Sequence, residues 1–394
     1  MEIHVTVDTL LDRVKDIAPM IRAHAAEAEE QRRLSRPVVD AMLQAGLYSM
    51  ARPKAFGGLE IDPLTMFQVV EEVTRHDSAA GWNLQIAAAT NCNMAWLPDE
   101  GAAEILKSHS NTIIAGSFTP GPRAMPVDGG YRLSGQWPFV SGGHDAHWFE
   151  FLPQIMDGDQ SLRNDQGSPV QRLMFLPADK VTILDTWHTL GMRGTGSDDV
   201  AVSDLFIPER HTALLVPLEK PGTAYQGPLY RLTIWVPIGL IAPVALGIAR
   251  AAIDDLLALA RTKTPSFTGS SLAQRQVVQR QVAEAEAMLG SGRAYLYATF
   301  QENWDAAVQG AEITLDRKLK MQLATSHAVA CAAKAVELVH AAAGTSSIRN
   351  EYPFQRYFRD LHTITQHAFA SASRYESVGA RMLGVESDWG FFAF

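Results

Sequence analysis

Cysteine is scarce. Cys92 and Cys331 are the two in 394 residues, far apart in helical-looking segments, so neither a disulfide framework nor a cysteine-based zinc site is implied. Both read as small buried hydrophobes. A basic stripe is also missing: 34 basic and 43 acidic residues are spread along the chain for a net charge of -9, and nucleic acid is not an expected partner. No GxGxxG follows a strand-like run and no GxxxxGK[ST] occurs, which leaves nucleotide binding through either phosphate loop unsupported. The longest apolar run, around Ile234–Ala249, is interrupted by Pro237, Gly239 and Pro243 and falls short of a membrane span, and the start MEIHVTVDTLLDRVKD lacks a secretory pattern. These absences read together as a cytoplasmic protein without a membrane partner. The pair His144 and His147 lacks a third ligand, so no metal site is expected there.

What is present is a change of period along the chain. From Thr9 to about Ser108 apolar residues recur at helical spacing, as in Leu10, Val14, Ile17 and Ile21. The loop RPKAFGGLEIDP (52–63) interrupts these helices. From about Thr112, short β-branched and aromatic runs (TIIAGSF, GYRLSGQWPFV, HWFEFLPQI, RLMFLPA, VTILDTW, VAVSDLFIP) are separated by turn residues, which predicts an antiparallel β unit ending near Pro217. After the connector Pro217–Pro228 helical periodicity returns, in segments at 238–262, 271–310, 312–343 and 356–383. The order helix, strand, helix with an antiparallel middle excludes a doubly wound parallel sheet. The expected fold class is α+β, with a helical domain at 1–111, a β domain at 112–225 and a helical bundle at 226–394.

Five strings occur in an order that resembles the acyl-CoA dehydrogenase superfamily. PKAFGG resembles its Pro-x-x-x-Gly-Gly loop, and YRLSGQWPFVSGG (131–143) its Tyr-x-Leu-x-Gly-x-Lys-x-Trp-Ile-Thr-Asn-Gly strand pair. LGMRGTGSDDVAVSDLFIP (190–208) resembles the Gly-x-Arg-x-Ser strand, AAGTSSI (342–348) the Gly-rich turn, and YFRDLHTITQH (357–367) the Arg-Asp helix start. The resemblance implies an N-terminal helical domain, a central β domain and a C-terminal four-helix bundle. It also implies a flavin.

Ser141 falls where the superfamily places the hydroxyl beside flavin N5, and Trp137 lies in the same flavin-contacting string. Arg261 resembles the arginine that reaches the flavin of a neighbouring subunit, and Gly344, Thr345 and Ser346 the turn that receives its distal end. The usual Arg-x-x-Phe-Gly is replaced here by RTKTPSFTGSS, so FMN and FAD stay open alternatives. Because these contacts cross between chains, the resemblance implies a homotetramer. Trp82, Asn91, Met94, Trp96, Ser117 and Phe118 lie in segments that wall the substrate cavity of the superfamily, and of these Trp82, Asn91 and Ser117 are the candidate substrate contacts.

One departure decides the branch. Nine residues after Arg359, where many dehydrogenases keep the carboxylate that removes the α-proton, stands Ala368, preceded by His367. A histidine here is similar to the two-component hydroxylase branch, where the imidazole sits over the reactive edge of the flavin. Five helical residues separate His362 from His367 by roughly 140°, so the expectation is that His367 does chemistry and touches substrate while His362 is structural or meets a subunit. The implied enzyme is a reduced-flavin-dependent monooxygenase. It would take reduced FMN or FAD from a separate NAD(P)H:flavin reductase and, through a C4a-hydroperoxyflavin formed with O2, hydroxylate a small phenol or indole. The alternatives are an acyl-CoA dehydrogenase or oxidase with a relocated base, and a helical assembly protein that has lost its flavin.

Overall fold

The computed structural model describes residues 6–109, 111–119, 121–165, 167, 169–216 and 220–394; the first five residues of the N-terminal string, and Pro217 to Glu219 of the connector, lie outside these. Five helices come first: α1 (Val7–Gln31), α2 (Arg36–Gln44), α3 (Pro63–Thr74), α4 (Ser78–Asn93) and α5 (Asp99–Lys107). Their starts are written locally. Thr6, Asp62 and Asp77 each accept a hydrogen bond from a backbone N–H of the first turn, and Pro63 sits where its missing N–H costs nothing. Helix α4 is exceptional in being buried nearly all round, polar residues included. Its close contact with α3 requires Gly81, since a Cβ there would meet Thr74 Oγ1 at 1.9 Å.

Ten strands follow: β1 (Ile114–Ser117), β2 (Arg123–Val127), β3 (Gly130–Trp137), β4 (Trp148–Phe151), β5 (Gln154–Asp157), β6 (Gln160–Ser161), β7 (Gln171–Pro177), β8 (Thr182–Leu184), β9 (Asp199–Pro208) and β10 (Thr212–Val216). They form one sheet in the order β1-β4-β7-β5-β2-β3-β9-β8, with β10 on β7 and β6 on β5. The expected antiparallel pairing is not uniform, because β1 joins β4 and β2 joins β5 in parallel. Strands β2 and β10 had no clear sequence signal; Pro126 disguised the first as a loop.

The chain ends in α6 (Pro228–Arg231), α7 (Trp235–Gly239), α8 (Ile241–Thr262), α9 (Gln276–Val308), α10 (Leu315–Ala343), α11 (Phe354–Ile364) and α12 (Ser373–Met382). The helix expected across 356–383 is therefore two, separated by the turn 365–372. The apolar run at 234–249 also proves longer than expected: Trp235–Thr262 and Leu315–Ile348 each have the length and composition to cross a membrane, yet 89% of the apolar window in the first is covered by this chain's own residues.

The two helical parts share one core, while the sheet keeps its own around Leu133, Trp137, Phe149 and Phe151. Phe67 of α3 meets Phe300 of α9 with ring centroids 4.8 Å apart, and a Cβ on Gly239 would collide with both rings. Burial of such apolar surface, at roughly 25 cal/mol per Å², is what joins the first helices to the last. Helix α11 is fixed by its Arg-Asp pair. Asp360 accepts from the N–H of Met192 (2.6 Å) and from Ser78 Oγ, and Arg359 reaches the Leu190 carbonyl and Glu29 of α1.

Candidate active site at the junction of helices and sheet

Beyond Trp137 the β3–β9 ladder continues irregularly. Val140 N–H donates to the Asp198 carbonyl and Gly142 N–H to that of Thr195, which brings the turn 138–143 against the loop 193–198. Two residues of the turn have left-handed backbone, Gly142 (φ 72°) and Phe139 (φ 63°). For a phenylalanine this is a strained conformation, of the kind that persists only where the surroundings impose it. It turns the Phe139 ring outward, 62% exposed, edge-on to Trp187.

Ser141 lies just inside, buried at the hub of a hydroxyl chain. Its Oγ accepts from Trp82 Nε1 (2.9 Å) and is 2.6 Å from Ser197 Oγ, which is in turn 2.6 Å from Thr195 Oγ1. Trp82 comes from α4 and meets the His367 ring edge-on, with centroids 5.4 Å apart. His367 is not on a helix: α11 ends at Ile364 and the histidine follows on the turn, its N–H donating to the Ile364 carbonyl. The angular argument that separated it from His362 therefore fails. His362 remains apart, packed on Phe358 and 3.8 Å from Glu337. Burial pushes the His367 imidazole down to about 4, so at neutral pH it is uncharged; Nδ1 accepts the Phe369 N–H (3.3 Å), which leaves the ring proton on Nε2 as the free donor.

Structure thus brings Ser141, Trp82 and His367 together. Ser117, at the end of β1, bonds Thr119 (3.1 Å), and Asn91 donates to the Ala87 carbonyl while its buried Oδ1 lacks a partner among the described residues. Trp137 requires correction. It is fully buried in the sheet core, stacked on Phe151 at 4.5 Å, with no exposed ring face, whereas Phe139 is the exposed ring of this turn. The strand's alternation explains this, since Leu133 points inward and Trp137, four residues on, shares its side.

A second corner lies at the end of α8. Lys263 Nζ donates to the Ala343 carbonyl (2.9 Å) and to Ser346 Oγ (2.6 Å), tying this helix end to the turn at Gly344, whose φ is 58°. Arg261 and Thr345 are exposed there, and a Cβ on Gly344 would meet nothing within 4 Å. An open groove of about 670 Å³ runs between α10 and the 365–373 turn, lined by Ala333, Lys334, Gln366, Ser371 and Ser373. The two histidines of the HDAH string are engaged, His144 with Asp198 at 2.8 Å and His147 through Nδ1, which accepts the Ile113 N–H.

Sequence reasoning missed Phe139, Ser197, Thr195 and Phe369. The first three stood in strings already singled out, and Phe369, 5.6 Å from His367, carried no motif.

Family models match at both ends of the chain: the acyl-CoA dehydrogenase N-terminal domain over residues 8–109 and the C-terminal domain over residues 239–372. An indole-3-acetate monooxygenase from Pseudomonas putida is 33% identical over 380 residues, 96% of this chain and 93% of the relative. The oxygenase component of an FADH(2)-dependent resorcinol hydroxylase from Rhizobium sp. (strain MTP-10005) is 27% identical, covering 96% and 94%. Among solved structures, XiaF from Streptomyces sp. in complex with FADH2 and glycerol superimposes with a TM-score of 0.87 at 24% identity, covering 97% of this chain and 96% of that one.

Proposed function

The chain belongs to the acyl-CoA dehydrogenase family, in its branch of two-component flavin-dependent monooxygenases, and from that premise we propose that it is an oxygenase component hydroxylating a small phenol or indole. The observation that carries the reading is the contact of a buried hydroxyl, an indole N–H and a neutral imidazole at Ser141, Trp82 and His367, with Ala368 where a dehydrogenation base would stand.

The residues present fit a flavin. Phe139 offers a bare aromatic face two residues before the Ser141 hydroxyl, and the groove beside the His367 turn has room for an extended tail. Bound reduced flavin, FMN or FAD, supplies the electrons that activate O2. Ser141, held by Trp82 and Ser197, places an oxygen that can hold or return a proton at the flavin edge. His367, neutral because it is desolvated, has its Nδ1 engaged by the Phe369 N–H and so donates its Nε2–H to a developing anion on the oxygen being transferred. Trp82 and Phe369 wall the two sides of the imidazole and exclude water, which suppresses wasteful loss of the oxidant. Asn91 and Ser117 belong to the substrate wall.

Arg261 and the turn Gly344–Ser346 hold the phosphate-bearing end of the flavin. Since they are exposed and the family contact crosses between chains, the proposal includes a homotetramer, testable by sedimentation at micromolar concentration. It also includes a cytoplasmic location, where NAD(P)H sustains the reductase, and a three-part division at 111/112 and 225/226, supported by α5 ending at Lys107, β1 beginning at Ile114 and α6 at Pro228. The deciding experiment mixes the chain anaerobically with chemically reduced FMN or FAD and then adds O2 with indole or a phenol. Hydroxylated product without added reductase is expected; bleaching of oxidised flavin by an acyl-CoA would return the chain to the dehydrogenases.

A further inference from the structure

Behind His367 and Phe369 lies a second group of side chains, Trp389, Phe391 and Arg374, to which neither the family strings nor the reaction assigns a role. Phe369 packs against Trp389 (ring centroids 5.3 Å apart) and Phe391 (4.8 Å), and those two against each other (4.6 Å). The Arg374 guanidinium, from the first turn of α12, lies over the Trp389 ring at 3.6 Å. A continuous file of rings therefore leads from Trp82 and His367 through Phe369 to a cation.

That cation lacks an anionic partner. Arg374 Nη2 donates to Ser373 Oγ (3.1 Å), but Nε and Nη1 are buried without an acceptor, and so is Nε1 of Trp389. Among the described residues no carboxylate stands within ion-pair distance of Arg374; Asp388 and Glu376 act on it only from further off, and burial is what most opposes its charge. Three N–H donors are thus orphaned on two touching side chains. Against them stands one orphaned acceptor close by, Oε1 of Gln322, whose Nε2 bonds the Phe369 carbonyl. Leaving such groups unpaired is costly, so a site of this kind is matched to a group that supplies acceptors. A carboxylate, acceptor-only and charged, is the matching group.

We propose that Arg374 and Trp389 form the oxyanion site of the substrate pocket, and that the natural substrate is an aromatic acid whose ring lies against His367 and Phe369 while its carboxylate takes the N–H groups of Arg374 and Trp389. This rests on the reading of the chain as an aromatic hydroxylase and narrows its substrate class. A substrate phosphate is disfavoured by the setting, an aromatic cluster with a single cation. The donors are covered by packed rings, so the acid enters by parting Phe391 and Trp389 from Phe369.

The test uses the full chain and two probes, indole and indole-3-acetate, with binding and hydroxylation measured separately. The unaltered chain is expected to bind the acid more tightly than indole. Arg374→Gln should weaken the acid about 10- to 100-fold, the range for a charge-assisted hydrogen bond, while indole affinity and indole hydroxylation stay within about twofold. Arg374→Lys should recover only part, since a point charge does not reproduce a stacked guanidinium. Trp389→Phe, which keeps the ring and removes one donor, should cost the acid a few-fold and gives a second reading if Arg374→Gln misfolds. Equal losses for both probes, no loss, or an unaltered chain that does not prefer the acid would overturn the assignment. A third arm compares FMN with riboflavin: loss of the FMN preference in Arg374→Gln would assign the guanidinium to the flavin phosphate instead. Failure of the broader reading is distinguishable, because then the unaltered chain hydroxylates neither probe.

Discussion

The Ser141 cluster and the Gly344 corner are built on opposite principles. Around Ser141 the groups are neutral, with Ser141, Ser197, Thr195 and Trp82 buried and His367 half-buried: hydroxyls 2.6 Å apart, an indole N–H, and an imidazole whose charge desolvation suppresses. At the end of α8 the working groups are cations at an open turn, with Lys263 bridging two segments and Arg261 exposed. The contrast follows from desolvation. A proton-transfer group gains strength when water is excluded, whereas a cation waiting for a phosphate would pay heavily for burial before its partner arrives. Arg374 breaks the pattern, and that exception is why a second anion is inferred.

The comparison is attacked most directly at His367. His367→Ala should lower coupled hydroxylation about 10²–10⁴-fold and divert the oxidising equivalents to H2O2, while flavin affinity, which the proposal assigns to the other corner, is unchanged. Product and peroxide yields, read beside flavin titration, check this. With the imidazole held at about 4, its neutral form is complete at pH 6–8 and is lost as pH falls through 4, so this group should contribute no slope to the rate across neutral pH. A rate limb near 6.5 attributable to His367 would show that the ring is wetter than its packing implies.

Ser141→Ala is the next largest. Loss of one hydrogen bond in a dry site should cost about 1–3 kcal/mol in the oxygen-transfer step, seen as a higher ratio of H2O2 to product with substrate affinity nearly intact. It also strands Trp82 Nε1, while Ser197 Oγ keeps Thr195 Oγ1, so Ser141→Thr is the conservative partner and should retain most of the coupling. An unchanged ratio in the alanine variant would reduce Ser141 to a turn residue.

The reverse variant probes the charged corner. Arg261→Ala should weaken FMN or FAD by roughly tenfold, about 1.4 kcal/mol, and leave the product-to-peroxide ratio alone once flavin is saturating. If coupling collapses instead, the two corners are not separable.

Glu150 supplies the smallest effect, one on stability rather than on oxygen transfer or flavin affinity. It is buried on β4, accepts from Asn93 Nδ2 at 2.8 Å, and burial pushes it up to about 8. The folded chain therefore holds a proton there that the unfolded chain releases near 4.5, and stability on this account falls as pH rises from about 4.5 to about 8. Glu150→Gln should remove that slope and stabilise the chain at pH 7 by on the order of 1 kcal/mol, measured as a shift in the urea midpoint compared between pH 5 and pH 8.

Ser141 and His367 were legible because short strings carried them, and the helix–strand–helix order followed from a change of hydrophobic period. Trp137 was misplaced for an instructive reason: the string it sits in outweighed the simple alternation that buries Leu133 and, on the same face, Trp137 itself. The expected helix through His367 failed because Ala- and Ser-rich sequence around 368–373 is compatible with both helix and turn, and the choice depended on what packed against it.

Sequence by itself determined the helix–strand–helix order of the three parts, and the caps at Thr6, Asp62 and Asp77 that start three helices, since caps, periods and turns are interactions among neighbours in the chain. Only the tertiary structure decided that Phe139 rather than Trp137 faces outward, that Trp82 from α4 joins Ser141 to His367, and that Arg374 is left unpaired over Trp389. Those pairs lie 59 and 285 residues apart for Trp82 with its two partners, and contacts over such spans are set by which surfaces must leave water together, a sum over the whole chain that no local window contains.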